Sequence, residues 1–321
     1  MVINIDLKDK KLLYELDSNA RQSNAQIARK IGLSTEVVNY RIKRLEKENV
    51  ITQYQLIVNL HKLGTLQFKV CLSTQHLDSE KLNLIIEKLK KKPEVKWLVS
   101  CKGNWDLIIS LESDSLENID VLKDDVLSLF GSHINKKAIS ILVEAQTYNR
   151  DYLLENEKQI HTSRIVMKKD KSAKVDELDM KILKRLAENA RTPIVYIASE
   201  INSTVRIVNY RIKQLVKSKI ILGFKIALNY EKLNIKFFKT FIYLDNPKTE
   251  ILKSLVRDIS TNKNIIHHVK VLGNWDLEPE FEVSSEKEFD DILGKIKDKY
   301  SDIIKGIDII TISKEHKFVY F

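Results

Sequence analysis

Apolar residues recur at helical spacing in the first third of the chain. Over residues 6–17, Leu7, Leu12, Leu13 and Leu16 fall on one helical face. After a polar break at 18–24, Ile27, Ala28 and Ile31 mark a second, shorter helix that stops at Gly32, a residue suited to a left-handed helix end. Ser34 supplies an N-cap for a third helix, on which Val38, Ile42 and Leu45 share one face. Residues 50–56, Val-Ile-Thr-Gln-Tyr-Gln-Leu, then read as strand. Three helices with a tight turn between the second and third, followed by a strand or hairpin, predict a winged helix-turn-helix.

The periodicity then changes. Phe68, Val70 and Leu72 alternate with Gln67, Lys69 and Cys71, which predicts a strand. Asp78 caps a helix carrying Leu82, Ile85, Ile86 and Leu89, stopped near Pro93. Strands follow at 95–101 and 105–111 across Gly103-Asn104, then a helix over about 115–130 and a last strand at 138–145. The order βαββαβ is the ferredoxin-like arrangement. It keeps its helices on one face of the sheet, so the other face requires a partner.

The whole pattern then repeats. Val38-Asn39-Tyr40-Arg41-Ile42-Lys43 returns 170 positions later as Val208-Asn209-Tyr210-Arg211-Ile212-Lys213. The same offset turns Asn19-Ala20-Arg21 into Asn189-Ala190-Arg191, and Gly103-Asn104-Trp105-Asp106-Leu107 into Gly273-Asn274-Trp275-Asp276-Leu277. A constant offset of this length implies two copies of a domain pair. The expected fold class is α+β: helix-turn-helix domains at 1–56 and 175–226, βαββαβ domains at 57–148 and 227–321, and a charged linker over 149–174 in which Tyr152-Leu153-Leu154 docks locally. In the second copy the helices fall at 176–188, 193–201 and 204–217, with Pro193 at a first helical position.

Charge sharpens the picture. The net charge of +10 favours a polyanionic partner. From Ile201 to Tyr230 there is no acidic residue, while Arg206, Arg211, Lys213, Lys217, Lys219 and Lys225 lie in that span. Such a one-signed run on a helix and its wing favours phosphate contact. No run of 18 apolar residues spans a membrane, and the charged N-terminus is not a signal peptide, so the cytoplasm is the expected compartment. Cys71 and Cys101 stand where the second copy has Phe241 and Val271, which makes them apolar fillers. His61, His76, His133, His161 and His316 are scattered, so no metal or cofactor is expected. Glycine-rich phosphate loops and nucleophile triads are likewise missing, and no catalytic residue is assigned.

The third helix carries the candidate chemistry. With Val38, Ile42 and Leu45 turned inward, its open face holds Glu36, Asn39, Tyr40, Lys43, Arg44 and Lys47, with Arg41 on the flank and Ser34 and Thr35 at its start. An asparagine can read adenine in a bidentate way, and Lys or Arg can read guanine or hold phosphate. In the second copy the corresponding set is Thr204, Arg206, Asn209, Tyr210, Arg211, Lys213 and Lys217. Double-stranded DNA is the expected partner. Because Glu36 becomes Arg206 and Arg44 becomes Gln214, the two helices suit unequal half-sites.

With these residues in view, each half resembles the Lrp/AsnC family of transcriptional regulators. The resemblance rests on Asp6, Asp9, Leu12-Leu13, Leu16 and Asn19-Ala20-Arg21, then Ile27-Ala28 and Ile31-Gly32-Leu33-Ser34. Val38, Arg41-Ile42, Leu45-Glu46 and the hairpin Gly103-Asn104-Trp105-Asp106-Leu107 complete it. It implies a sequence-specific regulator with a βαββαβ effector (RAM) domain and sheet faces that pair into dimers. Here that becomes an intramolecular pseudo-dimer, open to further homo-oligomerisation, and nucleoid-associated. It also implies an amino acid or similar effector near Gly103, Asn104, Trp105 and Asp106, and near Gly273, Asn274, Trp275 and Asp276. A tight hairpin in which the aspartate caps amides and the tryptophan packs explains these residues equally well.

Some positions depart from the pattern. Gly32-Leu33 becomes Asn202-Ser203, and Asn tolerates the left-handed turn. The glycine expected before the wing is Asn49 in one copy and Lys219 in the other. Pro279 replaces Ile109, which predicts a bulge or edge position. Alternation puts Asp276, Glu278, Glu280 and Glu282 on one face, where they are expected to pair with Lys239. Two other functions remain open: an architectural, weakly specific DNA-coating protein, and an enzyme like the siroheme decarboxylases, which resemble the same domain pairing. His267-His268, whose rings point to opposite faces, is the one histidine pair available to such an enzyme.

Overall fold

The computed structural model describes residues 3–154, 164–168 and 174–319. The first copy comprises α1 (Leu7–Ser18), α2 (Asn24–Ile31), α3 (Thr35–Lys47), β1 (Ile51–Val58), β2 (Leu66–Thr74), α4 (Ser79–Lys91), β3 (Val95–Gly103), β4 (Leu107–Ser113), α5 (Leu116–Ser128) and β5 (Ile134–Tyr148). After β6 (Arg164–Lys168), the second copy runs through α6 (Glu177–Glu188), α7 (Ile194–Glu200), α8 (Val205–Lys217), β7 (Ile221–Leu228), α9 (Tyr230–Leu233) and β8 (Lys236–Leu244). It ends with α10 (Thr249–Thr261), β9 (Ile265–Leu272), β10 (Leu277–Val283), α11 (Glu286–Lys299) and β11 (Ile304–Phe318).

Local chemistry accounts for the helix ends. Asp6 caps α1 and closes a capping box with Asp9, and Asp176 and Asp179 do the same for α6. Ser34 and Thr204 each accept a backbone N–H at the start of α3 and α8. Asn202 takes φ 54° where Gly32 takes φ 65°, so the degraded second turn survives. Asn49 and Lys219 also adopt positive φ, 57° and 58°, at the position where glycine was expected. Pro193 is the N-cap of α7 rather than its first helical residue.

The wing is not a hairpin within one domain. β1 pairs antiparallel with β7 of the other copy, and Gln55 lies opposite Lys225, the same position in the two repeats. A pseudo-twofold axis therefore passes between them. A single strand leaves its backbone donors and acceptors unpaired, and the partner copy supplies what the missing second strand does not. The arginines of the repeated Asn-Ala-Arg block fasten the joint. Arg21 Nη1 donates to Ala190 O (2.5 Å) and Thr192 O (3.0 Å), while Arg191 Nη1 donates to Ala20 O (2.7 Å). Their guanidinium groups lie over Phe224 and Tyr54, respectively. The two helical domains consequently share one apolar core.

The remaining strands close on themselves. The order is β2-β4-β3-β11-β8-β10-β9-β5, and β5 pairs back to β2, making an eight-stranded antiparallel barrel with β6 added on β5. β5 runs longer than expected, and both it and its counterpart β11 cross to the other copy. Ile141–Thr147 pairs with β9, and Ile310–Phe318 pairs with β3. Helices α4 and α5 pack outside one half and α10 and α11 outside the other, around two separate cores. A third core lies between the facing sheets and contains Cys71, Cys101, Trp105, Phe241, Val271 and Trp275. Burial raises both thiols, that of Cys101 to about 12, as befits apolar fillers. The face bearing Lys69 and Cys71 is thus interior, not solvated.

Two expectations change. Pro279 lies opposite His268 in β10, an interior strand, and the register shift occurs one step further on, where Phe281 meets Ile265. The start of the 149–174 linker is structured, because Asn149, Arg150, Asp151, Leu153 and Leu154 are buried and β6 forms part of the sheet. Arg150 donates to Asp17 Oδ1 (2.5 Å) and Glu282 Oε2 (2.8 Å), and Lys225 donates to Asp17 Oδ2 (2.7 Å). This ion network joins α1, the end of β5, β7 and β10, and burying it unpaired would be costly. Most of the charged run 168–172 lies outside the described residues.

Of the acidic row, Glu278 and Glu280 pair with Lys239 as expected, Glu282 pairs with Arg150 instead, and Asp276 is exposed at the hairpin. Glu278 meets Lys239 at 2.8 Å and also Lys69, the same residue in the other copy. It further accepts from Trp275 Nε1 (2.9 Å) and Ser140 Oγ (3.4 Å). Burial alone would raise the Glu278 pKa, but the two lysines outweigh it and hold the carboxyl well below its usual range. Its stabilising contribution is therefore complete above the unfolded value near 4.5 and is lost as the pH falls through the folded value. Glu278→Gln is expected to lower stability at neutral pH by about 3 kcal/mol in urea titrations, with the difference from wild type shrinking only below pH 4.5.

Candidate nucleic-acid interface

Helices α3 and α8 turn their apolar faces inward through Val38, Ile42 and Leu45, and through Val208, Ile212 and Leu215. On α3 this leaves Ser34, Thr35, Glu36, Asn39, Tyr40, Lys43 and Lys47 exposed. On α8 it leaves Thr204, Arg206, Tyr210, Lys213 and Lys217 exposed, with Asn209 half-buried. Tyr40 and Tyr210 are 67% and 58% exposed, unusual for large rings without a surface to meet. Each face combines amide, phenol and ammonium groups, the inventory that base edges and phosphates require.

Three of the candidate arginines serve the fold first. Arg41 bridges Asp6 (2.8 Å) and Asp9 (2.7 Å), and Arg44 also binds Asp9, whose carboxylate is buried. Arg211 repeats the contact with Asp176 (2.8 Å) and Asp179 (3.4 Å). The Asp9 and Asp6 carboxylates raise the Arg41 pKa further above its ordinary value. These pairs clamp α3 and α8 onto the capping boxes of α1 and α6, so they set helix orientation. Lys43, Lys47, Lys213 and Lys217 point away from those carboxylates and stay open on the surface.

Periodicity did not reveal one contact. Arg191 Nη2 donates to Asn24 Oδ1 (2.9 Å), and Asn24 Nδ2 donates to Asn39 Oδ1 (3.3 Å). The second copy thereby orients an amide on the first copy's exposed helix. Ile194 stands where Asn24 would be, so the link is one-sided. The repeated Asn-Ala-Arg block was the available signal, but its role depends on the wing pairing.

The two Gly-Asn-Trp-Asp hairpins are built into the barrel. Asp106 accepts from the backbone N–H of Thr74 (2.6 Å) and Asp276 from that of Leu244 (2.8 Å). Trp105 and Trp275 are buried between the sheets with ring centroids 6.1 Å apart. Gly103, at φ +127°, passes so close to the other half that an added Cβ would lie 2.5 Å from Ile309 O. At Gly273 the corresponding distance is 2.7 Å, to Ile139 O. Gly103, Asn104, Gly273, Asn274 and Asp276 are exposed. Trp275 Nε1 donates to Glu278, whereas the buried Trp105 Nε1 has no hydrogen-bond partner among the described residues. Among the described residues no three His, Cys, Asp or Glu side chains converge on a metal-sized site, and His161 lies outside them. No described helix is long and apolar enough to cross a membrane.

Known proteins match this geometry. Residues 5–52 match a winged helix-turn-helix DNA-binding model, and residues 175–216 match the AsnC-type helix-turn-helix domain. An HTH-type transcriptional regulator of Pyrococcus horikoshii is 31% identical over 124 residues, covering 38% of this chain and 83% of that protein. The proline dehydrogenase transcriptional activator of Rhodobacter capsulatus is 28% identical over 145 residues, covering 44% and 92%. Among solved structures, the siroheme decarboxylase NirDL aligns with a TM-score of 0.60 at 11% identity, over 97% of this chain and 93% of that one. That likeness is one of fold. The chain belongs to the Lrp/AsnC family, and it is a DNA-binding transcriptional regulator.

Lys43→Ala and Lys213→Ala are each expected to weaken DNA binding across all sequences and to reduce the slope of log K against log salt by about 1. Arg41→Ala is expected instead to lower the thermal stability of the first domain, because it strips a partner from the buried Asp9. Differential scanning calorimetry beside a salt titration separates the two roles. Gly103→Ala is expected to cost about 3 kcal/mol in urea unfolding, since strain and a backbone clash add.

Proposed function

We propose that the chain is a self-contained, asymmetric regulator. It comprises helix-turn-helix domains at 1–56 and 175–226 and ferredoxin-like RAM domains at 57–148 and 227–321, the latter paired within one molecule as a pseudo-dimer. The observation that carries this reading is the wing pairing of β1 with β7 about a pseudo-twofold axis, which presents two exposed polar helices as one unit. Two such helices suit half-sites about one helical turn apart. Glu36 on one helix and Arg206 on the other make those half-sites chemically unequal, since a carboxylate accepts from cytosine whereas an arginine reads guanine. DNA contact falls to Asn39, Tyr40, Lys43 and Lys47 and to Arg206, Asn209, Tyr210, Lys213 and Lys217. Arg41, Arg44 and Arg211 hold the helices in place. Regulation by an amino acid at the hairpins would use Gly103, Asn104, Gly273, Asn274 and Asp276, the members with open surface.

A siroheme decarboxylase activity competes on one observation, the fold shared over nearly the whole chain. The chemistry of the barrel interior supports the regulator instead. A tetrapyrrole carrying many carboxylates needs unpaired cations, yet Lys69, Lys239, Arg150 and Lys225 are held by Glu278, Glu280, Glu282 and Asp17. The interior cavity of about 200 Å³ also falls below the roughly 300–1,000 Å³ of sites for drug-sized ligands.

Fluorescence anisotropy against the chain's own upstream DNA and an unrelated duplex, across salt, tests the reading. Tight, salt-sensitive binding that prefers the upstream fragment is expected, with a footprint of unequal half-sites. Equal binding to both duplexes would favour an architectural protein. Failure to bind either at low salt, together with a spectral shift on adding siroheme, would favour the enzyme.

A further inference from the structure

Beneath the paired wings the barrel opens into a cavity of about 200 Å³. Its apolar lining includes Ile165 and Met167 of β6, Phe237, and Phe318 at the end of β11. Its polar lining includes Glu280, Glu315, His267 and Trp97, together with Lys69, Lys96, Arg150 and Lys225. Gln55 and Ile226 of the wing strands also line it, so it sits at the joint between the DNA-binding pair and the barrel.

The charges around this cavity do not balance. Lys69 is held by Glu278, Lys239 by Glu278 and Glu280, Lys96 by Glu112, Lys225 by Asp17, and Arg150 by Asp17 and Glu282. Glu315 has no such cation among the described residues. Its hydrogen-bond partner is the indole Nε1 of Trp97 at 2.9 Å, and the residue is exposed to solvent. Surrounding protein and the nearby Glu280 push the Glu315 pKa up, the mark of a carboxylate short of positive charge. His267 does not supply that charge. Burial lowers its pKa to about 4, and its Nδ1 is engaged with Thr147.

We propose that this cavity binds a small organic cation, a primary ammonium group on a compact apolar body, with the ammonium at Glu315 and Glu280 and the body against Met167, Ile165, Phe237 and Phe318. Size supports this class, because an apolar cavity of about 150 Å³ holds benzene and this one is modestly larger. An anion of the same shape would meet two carboxylates and no free lysine. A neutral isostere would leave Glu315 without a charged partner. Lacking any need for the recognition helices, the site stands or falls independently of the DNA reading.

Benzylamine, benzyl alcohol and benzoate, added singly to the full chain, test it by thermal shift and calorimetry. Benzylamine is expected to raise Tm saturably at millimolar concentration, and benzyl alcohol and benzoate are not. Glu315→Gln keeps an oxygen to accept from Trp97, so the fold should persist, and benzylamine affinity should fall by about tenfold or more. Met167→Trp, which fills the apolar end, should abolish the shift. Absence of any benzylamine effect on wild type, an equal response to all three compounds, or unchanged affinity in Glu315→Gln would each overturn the proposal.

Discussion

The structure depends on one pairing: a lone wing strand from each copy, β1 with β7, joined about a pseudo-twofold axis. Neither strand has an in-domain partner on that edge, so each copy's backbone is satisfied only by the other. Arg21 and Arg191 cross the same axis to the opposite copy's carbonyls and stack over its aromatic rings. Burial, with a further contribution from Arg191, lowers the Arg21 pKa. From this joint Arg191 also reaches Asn24, which in turn orients Asn39 on the exposed face of α3.

The barrel obeys the same constraint at larger scale. Each four-stranded sheet has one face covered by helices and another that would otherwise be wet. Facing the two sheets and lengthening β5 and β11 closes both edges and buries a third core. Duplication within one chain makes this closure intramolecular, which removes the concentration dependence of a two-chain dimer. It also releases the copies from identity. The interior exploits that freedom: Lys69 and Lys239 are symmetric, but Glu278 stands where the first copy has Ile108 and Glu280 where it has Ser110. One half therefore carries the acidic side of a shared ionic network, and the cavity above it is asymmetric as well.

Much of this was legible in the residues. Helix caps, apolar stripes and period-2 strands are local, and nearly every predicted element is present within a few residues of its expected bounds. The exposed faces of α3 and α8 followed from their buried ones. The split between Lys43, which stays open, and Arg41, which folds back onto Asp6 and Asp9, was not legible. Both occupy the polar side of the same helix, and only the position of α1 distinguishes them. The charged start of the linker, Asn149-Arg150-Asp151, gave no sign of burial, yet Arg150 is buried by partners from three distant segments.

By itself, then, the sequence determined the repeat, its helix-turn-helix units and the exposed polar faces of α3 and α8, because these follow from short-range periodicity and capping. Tertiary structure alone decided which strand pairs with which copy, which cations are neutralised, and that the hairpin glycines exist for close approach to the opposite half. Those outcomes rest on contacts between residues more than a hundred positions apart, such as Lys69 with Glu278 and Arg150 with Asp17. No local pattern records such distances, since the desolvation and pairing that decide them arise only when the two copies meet.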